Sequence, residues 1–334
     1  MSQVRHTDAD ARIALSRLFA PIAADLAAVD RRLEQELRHS DPFIDELAQH
    51  SFRIGGKRLR PALLLLVAQA VGKIGDEHRT LAAVVEMVHT ATLVHDDVLD
   101  DAEVRRHLDT VNARWNNQTS VLLGDYLFTH AFYLASTLDT TFGCRAIGEA
   151  TNTVCEGELR QTASSGNFWL TRDEYLAIIE AKTAELCACC CRLGAHYAGA
   201  PIAVEQALER YGRNLGIAFQ ITDDLLDVVG SETLAGKSLG TDLEKQKPTL
   251  PIIRVLAICP AAQRPALVEL LRSSEPAARH ELARWLARSD ALEYTRDKAR
   301  SYAQRARQRL ATLPDRAAKQ TLVALTELVV SRNA

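Results

Sequence analysis

Residues 81–101 read LAAVVEMVHTATLVHDDVLDD. Through residues 81–98 apolar side chains recur at steps of three and four, the period of a helix with one face turned inward. On that helix Asp96 and Asp100 lie one turn apart on one side, with Asp97 about a quarter-turn away. Apolar neighbours draw these carboxylates toward the interior, where several like charges are costly without cations. The pattern returns about 127 positions later in FQITDDLLDVV, residues 219–229, where Asp223 and Asp227 share a face beside Asp224. One D-D-x-x-D alone is more often a solvated acidic patch at a helix end. Two copies, each set in apolar helix, favour one divalent-metal site. Hard carboxylate oxygens that leave room for a substrate phosphate suit Mg²⁺.

The same helical period runs through residues 14–37, 175–197 and 203–229. PALLLLVAQAV at 61–71 reads as a buried helix, too short to span a bilayer. No Asn-Gly or Asp-Gly turn separates alternating strands, so a β-rich fold has little support. Breaks fall at Gly55-Gly56, 72–75, 105–117, 164–167, 199–201 and 230–248, and Asp41-Pro42, Asn112 and Thr171 read as helix starts. The expectation is an all-α fold: one large helical bundle of about ten or more helices, several long enough to line a central cavity, with 1–334 as a single domain. The 334 residues carry a net charge of −3 and are 47% hydrophobic, so nothing lures nucleic acid globally. Seven cysteines without a secretory leader point to a reducing, cytoplasmic setting. Cys187, Cys189, Cys190 and Cys191 have the wrong spacing for a metal knuckle and read as small buried thiols.

Phosphate must then be met by local cations. GGKRLRP at 55–61 sets Lys57, Arg58 and Arg60 after a glycine pair, without the spacing of a Walker loop. Arg105-Arg106 follow the first acidic cluster, Lys182-Thr183 sit in an otherwise apolar helix, and Lys237 and Lys247 follow the second cluster. As a set they compensate more than one diphosphate, which suggests two phosphorylated substrates.

In this order GGKRLRP, EMVHTATLVHDDVLD, the Arg pair, GDYLF, KTAEL, FQITDDLLD and GKSLGTDLEKQKPTLP resemble the all-trans polyprenyl (isoprenyl) diphosphate synthase family, in its medium- to long-chain, octaprenyl-like form. The resemblance spans 41–254, while 260–334 match only in being helical. It implies a homodimer that adds isopentenyl diphosphate head-to-tail to an allylic diphosphate with Mg²⁺, staying peripheral to membrane for product release. By motif it makes Asp96, Asp100 and Asp223 metal ligands, supported by Asp97, Asp224 and Asp227. Lys57, Arg60, His89 and Arg106 would hold isopentenyl diphosphate. Arg105, Lys182 and Lys237, assisted by Lys247, would hold the allylic diphosphate, with Thr183 and Gln220 lining the reacting centre beside Lys182. The sequence departs from the pattern where His107 and Gln246 replace usual glycines, and over 108–117.

Counting back from Asp96, one turn reaches Thr92 and Ala91 and the next Val88 and Met87. A bulky residue at 91 would block a growing tail, and alanine does not. Phe132, on a helix expected to begin near Gly124-Asp125, is the candidate cavity floor, with plain core packing as the alternative. The product expected is about six to ten isoprene units by family analogy, with geranylgeranyl diphosphate as the shorter alternative. A di-iron carboxylate bundle built on Glu86-x-x-His89 and Glu36-x-x-His39 is the reading from another class. It leaves all six aspartates and the phosphate cations unused. A terpene cyclase would carry a different second metal motif, and a non-catalytic partner subunit would have lost an acidic cluster.

Overall fold

Helix accounts for nearly every element of the computed structural model, which describes residues 15, 17–53, 56, 58–229, 245–273 and 275–331. After a 3₁₀ turn at Ala20–Ile22 come α1 Ala23–Glu36, α2 Pro42–Arg53, α3 Leu59–Val71 and α4 Asp76–Leu99. Then follow α5 Val111–Arg114, α6 Asn117–Ser136, α7 Phe142–Ala163, α8 Arg172–Ile179, α9 Glu185–Tyr197 and α10 Ile202–Val229. The C-terminal part adds α11 Leu250–Ile258, α12 Arg264–Arg272, α13 Pro276–Arg288, α14 Ala291–Arg309 and α15 Ala317–Ser331. Among the described residues strand is confined to an antiparallel hairpin, β1 Val104–Arg105 with β2 Leu108–Asp109. Its two turn residues, Arg106 and His107, both have positive φ (53° and 66°), as a tight hairpin turn requires. Hence glycine suits position 107, and no Asn-Gly signal marks the turn.

Local chemistry sets the helix starts. Thr171 accepts from the Glu174 N–H while the Glu174 carboxylate accepts from the Thr171 N–H, a capping box at the head of α8. Asp41 accepts from the Phe43 and Ile44 N–H groups at 2.8 and 3.3 Å. Asn112 is no cap: Thr110 and Asn116 cap α5 and α6, and the Asn112 amide instead donates to the Ala102 carbonyl at 3.1 Å.

Apolar all round, α3 lies at the centre, with Leu63 through Val67 fully buried. It packs against α4 and α9. A Cβ at Gly194 of α9 would lie 2.3 Å from the Leu64 carbonyl oxygen, so glycine lets the two backbones approach. The cysteines of α9 are buried in this core, and burial pushes the Cys189 thiol up to about 12. They pack the bundle as neutral thiols. A second apolar cluster joins Ile252, Val255 and Leu256 of α11 to Leu267, Leu282 and Leu286, while the Tyr211 hydroxyl donates to the Leu322 carbonyl and ties α10 to α15. No described helix is long and apolar enough to cross a membrane.

A further boundary differs from expectation. Gly124 does not open a helix but lies inside α6, which the Asn116 cap starts, and the His95 imidazole fills the space where a side chain at 124 would stand. A Cβ there would come within 2.1 Å of His95 Nε2.

Candidate active site

Both acidic clusters sit in the last turns of their helices, Asp96, Asp97 and Asp100 at the end of α4 and Asp223, Asp224 and Asp227 near the end of α10. A helix C-terminus carries partial negative charge, so carboxylates there lack the compensation that cations would give. Burial pushes Asp96 up to about 6, against the pull of Lys182, with Glu158 and Asp100 adding repulsion. A carboxylate this reluctant to ionise is one that a bound cation would relieve. Asp97 is also raised by burial, countered by Arg105, whose Nε donates to it at 2.7 Å. At Asp100 burial works upward, yet Lys247 and Lys245, at 3.1 and 3.0 Å, outweigh it and hold the carboxyl below its usual range. Asp223 is half-buried and Asp227 buried.

Between the two clusters the chain makes a single π-helical turn, Glu180–Ala184, joining α8 to α9. Such turns insert an extra residue and re-aim side chains. Here consecutive residues are directed to different partners. Lys182 meets Glu158 at 2.5 Å and donates to Gln161 at 2.8 Å, and it feels the charges of Asp96 and Asp100. The Thr183 hydroxyl donates to Gln220 Oε1 at 2.8 Å, and Gln220 Nε2 donates to Asp224 Oδ1 at 2.7 Å. Room for the turn comes from glycine: a Cβ at Gly157 would lie 2.6 Å from the Lys182 backbone nitrogen, and one at Gly216 2.6 Å from the Ala184 Cα.

Arg60, His89 and Lys182 share a cavity with Val88, Thr92, Phe128, Thr151, Val154 and Leu186. Its walls thus come from α3, α4, α6, α7, the π turn and α9. Burial, and then the charges of Arg60, Arg106 and Arg105, hold His89 well below the usual histidine range, so it is neutral. Arg60 keeps a buried Nε without a hydrogen-bond partner, a donor left for an anion. Arg106 lays its guanidinium against Gly56, where a Cβ would meet it at 3.2 Å. Lys57 and Lys237 lie outside the described residues.

Along the expected tail path, Val88 and Thr92 line the cavity. Ala91 and Met87 are closed into the core instead, because they point to the inner side of α4. Phe128 lines the cavity, and Phe132, one turn on, packs 3.9 Å from where a Gly148 Cβ would stand. Residues that escaped the sequence reading are Glu158, Gln161, Lys245 and Tyr175. Glu158 and Gln161 are spaced i, i+3 on α7, a signal present but common on any exposed helix.

The carboxylates needed by the di-iron reading are engaged elsewhere. Glu86 is fully buried and ion-paired with Arg58 at 2.6 Å, and Glu36 meets His130 at 3.1 Å. Among the described residues no three Asp, Glu, His or Cys side chains close on one another as a self-sufficient metal cage. The aspartates fit instead an ion that completes its shell with substrate oxygens.

The polyprenyl synthetase family matches residues 41–288. The chain belongs to that family. This polyprenyl synthetase is 37% identical to the all-trans-nonaprenyl-diphosphate synthase (geranyl-diphosphate specific) of Rhodobacter capsulatus, over 94% of this chain and 97% of the relative. It is 35% identical to the octaprenyl diphosphate synthase of Escherichia coli K12, over 96% and 99% of the two chains. A polyprenyl synthase from Caulobacter crescentus CB15, solved with calcium and isoprenyl diphosphate, superimposes with a TM-score of 0.90 at 36% identity, covering 96% of this chain and 98% of that one. As a family member the polyprenyl synthetase is a prenyltransferase that works on isoprenoid diphosphates with a divalent metal.

Proposed function

We propose that this prenyltransferase lengthens an allylic diphosphate with isopentenyl diphosphate to an all-trans product of about six to ten isoprene units by analogy with its relatives. The observation that carries the reading is the π turn, which sets Lys182 beside the first acidic cluster and Thr183 on a chain to the second. Mg²⁺, held by Asp96, Asp100 and Asp223, would supply Lewis-acid stabilisation of the leaving diphosphate. Arg105, Lys182, Lys247 and Lys237 attract the same leaving group as its charge develops. Neutral His89, Arg60, Arg106 and Lys57 orient isopentenyl diphosphate. The carbon–oxygen bond of the allylic diphosphate breaks, the isopentenyl double bond attacks the resulting cation, and a proton passes to the departed diphosphate. Thr183 offers oxygen lone pairs to the cation, and Val88, Phe128, Val154 and Leu186 keep water away.

Incubation with labelled isopentenyl diphosphate, Mg²⁺ and geranyl, farnesyl or geranylgeranyl diphosphate, with products sized by chromatography, tests the assignment. Ladders reaching 30 carbons or more are expected, on the order of six units. A product stopping at geranylgeranyl would shift the assignment to the shorter enzyme, and no extension with any primer sinks it. We further propose a homodimer, supported by exposed Leu122 and Tyr133 on one face of α6.

A further inference from the structure

Tyr175 is buried in α8 at 4% exposure, with its ring in an apolar cluster that also holds Ile178, Ile217 and Ile221. Its hydroxyl donates to Asp224 Oδ2 at 2.6 Å. The capping box at Thr171 and Glu174 fixes the start of this short helix, so the ring has a defined place.

The hydrogen bonds beyond it have a definite sense. The Asp224 carboxyl accepts one hydrogen bond on each oxygen, from the Tyr175 hydroxyl on Oδ2 and from Gln220 Nε2 on Oδ1. With its NH₂ on Asp224, the Gln220 amide must present its oxygen to Thr183. Thr183 then spends its single hydroxyl proton on that oxygen. What remains on Thr183 is lone pairs. The reverse sense, with an N–H facing Thr183 and a hydroxyl proton free to point at the substrate, would repel a carbocation instead of steadying it.

We propose that Tyr175 is a positioning residue for the prenyl transfer: through Asp224 it fixes the Gln220 amide, and through that amide it keeps a lone pair of Thr183 directed at the developing cation. The proposal rests on the function proposed above, and Tyr175 itself touches no reacting atom. The Tyr175 hydroxyl on Oδ2, opposite the Gln220 donor on Oδ1, helps to hold the carboxylate in one orientation.

The test measures steady-state kinetics and thermal unfolding of Tyr175→Phe in two backgrounds, wild type and Thr183→Val. In the wild-type background kcat should fall about tenfold, the order of one hydrogen bond to a charged acceptor, with both KM values within about twofold and the fold retained. In the Thr183→Val background the same substitution should change kcat by less than about twofold, because the chain no longer ends in a hydroxyl. Incorporating 4-aminophenylalanine at 175, which keeps a donor, should restore most of the lost kcat. If Tyr175→Phe unfolds, Tyr175→Met replaces it in the same two backgrounds, with the same non-additivity expected. An undiminished kcat for Tyr175→Phe, or a loss equally large in both backgrounds, overturns the proposal. Wild-type turnover is measured in the same series: if the wild type extends no primer, the functional assignment fails, and if it turns over normally only the role of Tyr175 is in question.

Discussion

Asp96 shows what a single residue contributes here. Its carboxyl is raised from the ordinary value to about 6, mainly by burial. The folded state therefore binds this proton more tightly than the unfolded chain does. The linked stabilisation is full at low pH and is lost as pH rises through about 6. Metal-free protein should accordingly gain stability from this group as pH falls from 7 toward 5. Asp96→Asn, which removes the titration, should raise metal-free stability at pH 7.5 by on the order of 1 kcal/mol while abolishing prenyl transfer. Melting curves with chelator at several pH values check this, and a stability drop for Asp96→Asn would contradict it. Gln246 offers a second residue-scale test, since its φ of 52° lies in the left-handed region. Gln246→Gly should be neutral to about 1 kcal/mol stabilising, whereas Gln246→Val should cost about 1–2 kcal/mol, both read from chemical denaturation. The aspartate pairs and the candidate cations stand out in residue order, whereas the glycines replaced at 107 and 246 show only against the family pattern. The partners of Lys182 and Asp224 were not legible, because Glu158 and Tyr175 reach them from other helices.

At the scale of elements, the cavity depends on which faces of three helices meet. Val88 and Thr92 on α4, Phe128 on α6, and Thr151 and Val154 on α7 form the wall. One turn deeper, Phe132 of α6 lies over Gly148 of α7. A tail growing along this trough would meet the ring of Phe132 where Gly148 leaves no side chain opposite. Phe132→Ala should therefore lengthen the product by one or more isoprene units, read by mass spectrometry of the dephosphorylated products. An unchanged length distribution would remove Phe132 from the path. Helical periodicity foretold α4 and α10 closely, since apolar spacing is a local signal, but ran α8 and α9 together as one helix over 175–197. It could not foretell the π turn at Glu180–Ala184, which depends on Gly157 and Gly216 leaving space on α7 and α10. Nor could it separate Ala91 and Met87 from Val88 and Thr92 on the same apolar helix, because core-facing and cavity-facing positions carry the same kind of side chain.

Over the whole molecule, α6 has two unlike faces. One carries Leu123, Leu127 and Phe128 toward the core and the cavity, and the other leaves Leu122 and Tyr133 exposed at 60% and 65%. Residues 122, 125, 129, 133 and 136 repeat at three- and four-residue steps and are all exposed, so the outer face is continuous along the helix. If the homodimer buries this face, the partner braces the helix that bears Phe128 and Phe132, and assembly and product length become linked. A Leu122→Glu, Tyr133→Glu double substitution places charge on that surface without touching the cavity wall. It should convert a dimer to a monomer by size-exclusion chromatography with light scattering, with far-ultraviolet circular dichroism unchanged. The monomer should give a broader spread of product lengths, because the unbraced α6 positions Phe132 less tightly over Gly148. A double variant that remains dimeric would put the interface on another face, and a monomer with the wild-type product distribution would show that the cavity wall is rigid without a partner.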